Sequence, residues 1–186
     1  MATTDSAGNS LEPLDGLDRL DRKELATIRG TAALRRVEVH RIYPVAITDV
    51  WQALIEPQAI ARWFGSATVD PREGGQIVLT FGKTVVTCSI KTFMPPHVLA
   101  YTWEQEGEST SLVQFDLIET AAAETRVTVV QTALDAIAAS DVAAGWTSML
   151  ERLSEFLRTG EFAPEDKTRW QQLYEIYQKA CQDESD

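Results

Sequence analysis

Residues Val37 to Phe64 read VEVHRIYPVAITDVWQALIEPQAIARWF, and this stretch decides the fold. Val37, Val39, Arg41 and Tyr43 alternate with Glu38, His40 and Ile42, the period-two pattern of a strand with one covered face. Pro44 lacks the amide proton that a ladder needs, so the strand stops there. Thr48 or Asp49 is placed to cap a helix carrying Val50, Trp51 and Leu54. Pro57 suits the first position of a second helix, with Ile60, Trp63 and Phe64 along its inner side. The segment predicts a strand followed by two short helices.

Toward the C-terminus, Gly74 and Gly75 mark a turn, because glycine reaches backbone angles that a side chain forbids. Extended patterns then follow over 76–81, 85–93, 98–104, 111–119 and 126–134. Their connections are too short for parallel crossovers, so the pairing must be antiparallel. After Leu134 the apolar period changes to that of a helix: Val142, Trp146, Met149, Leu150, Leu153, Phe156 and Leu157 form one stripe, with Arg152, Glu155 and Arg158 off it. One long amphipathic helix is expected to cover the sheet, and Gly160 to stop it.

Three segments are expected: a polar, partly disordered extension over 1–33, a domain over 34–160, and a C-terminal amphipathic helix with an acidic tail over 161–186. In the last, Trp170, Leu173, Tyr174, Tyr177 and Cys181 share a helical face. Left in water, such a face would be adhesive, so docking on the chain's own domain is expected, with a two-fold dimer as the alternative. In the first segment Leu11, Leu14, Leu17 and Leu20 recur every third position, and a short helix is expected from Asp18 to Ile28.

The 186 residues carry a formal net charge of -11, and no basic stripe interrupts it, which argues against nucleic acid and anionic membrane surfaces as partners. No apolar stretch is long enough to span a bilayer, and the N-terminus lacks the basic start and apolar heart of a secretion signal. A cytoplasmic location is expected. Cys88, Cys181, His40 and His97 are scattered, with no spacing suited to a metal cage, so neither metal nor cofactor is expected.

Strand, two small helices, antiparallel meander and long helix compose an α+β helix-grip arrangement, a curved sheet wrapped around the last helix. In the same order the chain carries VWQALIEP at Val50 to Pro57, RWF at Arg62 to Phe64, GGQ at Gly74 to Gln76, PPHVLAYTWE at Pro95 to Glu104, TRVTVVQ at Thr125 to Gln131, and GW-x3-L at Gly145 to Leu150. In these elements it resembles the homologues of the heat-shock-protein ATPase activator, within the START-like (SRPBCC) superfamily. The resemblance implies a cavity domain whose relatives bind lipids, hormones, polyketides or aromatic molecules, or act on protein partners. The chaperone activators carry a further N-terminal domain, which residues 1–33 are not expected to hold, so the resemblance supports chaperone stimulation less than it supports the cavity. Where the family's sixth strand often places a histidine, this chain has Gln131.

The cavity implied by the resemblance would be lined by Trp63, Phe64, Tyr101, Trp103, Phe115, Gln131, Trp146 and Met149. Trp63 and Trp103 are the foremost candidates, because a buried indole N–H needs an acceptor that a ligand or water can supply. No nucleophile and base, carboxylate pair or phosphate loop is recognisable, so no catalytic residue is assigned. The expected function is binding of an apolar or aromatic small molecule, as carrier or sensor. A protein-interaction or co-chaperone-like module is the first alternative, and a cyclase-like or hydrolase-like enzyme using the cavity the second.

Overall fold

The chain's structure, a computed structural model, describes residues 25–31 and 34–183. Among them an eight-stranded antiparallel sheet is formed by β1 (Thr27–Thr31), β2 (Leu34–Tyr43), β3 (Ser66–Val69), β4 (Gln76–Phe81), β5 (Thr84–Met94), β6 (Val98–Gln105), β7 (Ser111–Ala121) and β8 (Glu124–Leu134). The strand order is β1-β2-β8-β7-β6-β5-β4-β3, so the sheet is open, with β1 and β3 at its edges. Helices α1 (Ile47–Ile55) and α2 (Pro57–Trp63) carry the chain from β2 to the far edge, while α3 (Ala136–Thr159) covers the concave face and α4 (Lys167–Asp183) packs behind it. This is the helix-grip arrangement expected from the period changes in the sequence.

Alternation places the strands as anticipated. Val37, Val39 and Tyr43 of β2 are buried while His40 and Ile42 are exposed, and the Tyr43 hydroxyl donates to the Leu150 carbonyl at 3.0 Å, tying the sheet to α3. Arg41 shares the inner face, 3.7 Å from Glu151, which also meets Arg169 of α4 at 3.0 Å. Pro57 opens α2, and Gly160, at φ 73°, ends α3 with its amide donating to the Phe156 carbonyl at 2.7 Å.

Several details depart from the sequence expectations. Helix α1 starts after Ala46, without a side-chain cap; Thr48 and Asp49 lie inside its first turn. The edge strands β1 and β3 were not anticipated, and Thr27 and Ile28, expected to end a helix, pair instead with Glu38 and Val37. Leu25 and Ala26, within the same expected helix, are not helical either; residues 18–24 and the four leucines lie outside the described residues.

Helix α4 covers its apolar face on the domain itself. Leu173 and Tyr177 are buried, and Trp170 and Tyr174 are half-buried. The Ala26 amide donates to the Tyr177 hydroxyl at 2.7 Å, which bonds the Thr147 hydroxyl at 2.7 Å, which donates to the Ala143 carbonyl at 2.7 Å. This chain of polar groups joins the start of the sheet, α4 and α3, leaving each hydroxyl one donor and one acceptor role.

Candidate functional site

Between α3, the ends of β6, β7 and β8, and α4 lies an open cleft of about 940 Å³. Phe64, Phe81, Trp103 and Trp146 form its inner wall, with Phe64 5.6 Å from Trp146 and 5.3 Å from Phe81, and Trp103 edge-on to Trp146 at 6.2 Å. Trp170 and Tyr174 of α4, stacked at 5.3 Å, supply the opposite wall. Offset and edge-to-face rings of this kind are rigid surfaces that bury much area for little lost side-chain freedom.

The floor holds a buried polar relay. The Trp146 indole N–H donates to Gln131 Oε1 at 2.6 Å, and Gln131 Nε2 donates to Ser111 Oγ at 2.7 Å. All three side chains are buried and line the cleft. Gln131 thereby fixes the orientation of the Trp146 ring, while the Ser111 hydroxyl, having accepted, retains its own proton to donate.

Gly145 sits mid-helix on α3, where glycine costs about 1 kcal/mol relative to alanine. A Cβ built there meets no heavy atom within 4 Å. Gly145 lines the cleft, so its missing side chain widens the space between Asp141 and Met149, one turn away on either side.

The expected wall residues divide. Phe64, Trp103, Gln131, Trp146 and Met149 line the cleft together. Trp63, Tyr101 and Phe115 surround a separate space of about 10 Å³, room for about one water and far too little for a ligand, and so pack the core. Trp63 is drawn inward because its indole N–H donates to the Ala53 carbonyl at 2.9 Å, one of the last carbonyls of α1, which lack an intrahelical partner. Its ring stacks on Phe64 at 4.9 Å.

Cleft residues outside the sequence expectation include Phe81, Trp170, Tyr174, the carboxylates Glu108, Asp135 and Asp141, and Ser111 and Gly145. Trp170 and Tyr174 had a signal, an aromatic helical face needing cover. The carboxylates had none, since they come from a turn, a helix cap and a helix that only the fold brings together.

Burial, and secondarily Glu104, pushes the Cys88 thiol up to about 12, which keeps it protonated and unreactive. His40 and His97 are exposed and line no part of the cleft. Among the described residues no group of three or more His, Cys, Asp or Glu side chains converges to hold a metal, and no helix is long and apolar enough to cross a membrane.

Comparison with known proteins sets this geometry among relatives. CalU16 from Micromonospora echinospora superposes with a TM-score of 0.69 at 25% identity, covering 84% of this chain and 96% of that one. EF2215 from Enterococcus faecalis, a conserved protein of unknown function, gives 0.73 at 20% identity over 85% and 91% of the two chains. The BPP1335 product of Bordetella parapertussis gives 0.64 at 27% identity over 81% and 87%. No curated protein sequence is similar enough to count as a match. The model of the family described as Activator of Hsp90 ATPase homolog 1-like protein matches residues 44–158, from the end of β2 to the last turn of α3. With that match covering more than half its length and the helix-grip fold around it, the chain belongs to the Activator of Hsp90 ATPase homolog 1-like family, within the START-like superfamily.

Proposed function

We propose that the protein is a small-molecule binding domain, a carrier or sensor whose cleft takes an apolar or aromatic ligand. The observation that carries this reading is the aromatic-walled space of about 940 Å³ floored by the Trp146, Gln131 and Ser111 relay. Its volume lies within the range of small-molecule sites, and its aromatic walls offer apolar surface beside polar groups, of which the Ser111 hydroxyl keeps a proton to donate. Gly145 supports it, because a helix interior that forgoes a side chain beside open space favours room over stability.

The reading is tested by thermal shift and tryptophan emission with 1-naphthylmethanol, comparing the wild-type protein with Gly145→Phe. A Cβ at this position meets no heavy atom within 4 Å, so the new ring is expected to extend into the cleft. Expected are a concentration-dependent rise in Tm and altered emission in the wild type, and loss of both in a variant that still melts cooperatively. An unchanged response in the variant would place the ligand elsewhere, and no response in either protein would remove the reading's support.

A second reading, a protein-interaction module, draws on one feature of the outer face. Ile42, Arg126 and Ile118 lie in register across three neighbouring strands, and both isoleucines are exposed. Binding of an unfolded client or chaperone that is lost in Ile42→Lys but kept in Gly145→Phe would favour it.

A further inference from the structure

We propose that the cleft selects a cationic aromatic ligand, one bearing a protonated amine, with Asp141 as its principal counter-charge. This rests on the cleft being the ligand site and adds the charge of the occupant. Among the described residues the charged side chains that line the cleft are Glu108, Asp135 and Asp141, and no lysine, arginine or histidine lines it. The three acids are not equivalent. Asp135 is engaged at the start of α3, where its Oδ1 accepts the Ala138 amide at 2.8 Å, so the helix N-terminus that would attract an anion already faces one. Glu108 accepts from Gln105 Nε2 at 2.5 Å.

Asp141 differs from both. Among the described residues it forms no ion pair or side-chain hydrogen bond. Its side chain is open to the cleft, yet the protein around it raises its carboxyl above the ordinary aspartate range. One turn further along α3 is Gly145, which leaves space beside the carboxylate rather than a side chain to shield it. A cation entering the cleft would find Asp141 and the rings of Trp103, Trp170 and Tyr174 in one lining, the combination that suits an ammonium group attached to an apolar frame. A carboxylate-bearing guest such as a fatty acid would enter a cleft whose described lining carries like charge and no basic group. The net charge of -11 adds to the same bias at long range.

The test is isothermal titration of the full-length protein at neutral pH with three probes of one shape: 1-naphthylmethylamine, 1-naphthylmethanol and 1-naphthoate. The amine should bind about tenfold more tightly than the alcohol, with the naphthoate weakest and the amine's advantage shrinking as salt is raised. Asp141→Asn, a change of charge without change of shape, should remove most of that advantage by weakening the amine far more than the alcohol, and a cooperative thermal transition shows the variant to be folded. Equal binding of amine and alcohol, tighter binding of naphthoate, or an amine preference untouched by Asp141→Asn would overturn the charge selection and leave the cleft standing as a neutral site. If none of the three probes binds, the cleft reading falls and the charge selection with it.

Discussion

Gln131 gives the floor of the cleft its order, because a buried indole N–H and a buried serine oxygen meet across one amide. Replacing it by leucine keeps the volume and strands the Trp146 N–H. Gln131→Leu is expected to lower unfolding free energy by about 1–3 kcal/mol in urea denaturation, the usual cost of a buried donor left unsatisfied. A neutral result would mean that water or Ser111 takes over the role. Asp141 makes the opposite prediction. Its raised folded pKa means that the native state holds the proton more tightly than the unfolded chain, so stability falls as pH rises from the ordinary aspartate value of 3.8 toward the raised one. Asp141→Asn should therefore raise Tm at pH 7, and the gain should vanish in acid, where both states are protonated; a variant less stable at pH 7 would contradict this. At this scale the sequence told identity but not direction. Gln131 was expected among the cavity residues but its bridge between Trp146 and Ser111 was not, and the turning of Trp63 toward Ala53 depends on where α1 ends relative to α2, which no local pattern encodes.

Helix α4 joins fold and site, for it buries Leu173 and Tyr177 on the domain and turns Trp170 and Tyr174 into the cleft. Its amphipathic face was readable from spacing alone, and so was its need for a covering surface. Its second use, as a wall, was not, because the cleft is defined only when α3 and the sheet are in place. Ending the chain before Pro164 should cost about 3–6 kcal/mol, as expected for exposing two large side chains, and should weaken binding of naphthyl probes without changing subunit mass in light scattering. Stability unchanged by the truncation would contradict the docking. The edge strands show the reverse limit. β1, TIRGT, and β3, SATV, each have one sheet neighbour and few covered side chains, so the alternation that revealed the inner strands is nearly absent from them.

Across the whole molecule, the helix-grip arrangement separates two apolar regions by one ring. Phe64 stacks on Trp63 toward the packed core and faces Trp103 and Trp146 toward the cleft. Core and cleft aromatics look alike in sequence, since both serve an inner face; what separates them is whether α3 closes the space, and that depends on Gly145 and on the path of α4. The five tryptophans sample this division: Trp103, Trp146 and Trp170 line the cleft, whereas Trp51, against Phe93, and Trp63 do not. The most direct measurement is therefore the response of the five indole N–H signals in a proton–nitrogen NMR spectrum to titration with 1-naphthylmethylamine. Ligand binding in the cleft predicts saturable shifts of the Trp103, Trp146 and Trp170 signals with those of Trp51 and Trp63 nearly still. Shifts concentrated on Trp51 and Trp63, or no saturable shift in any of the five, would contradict it.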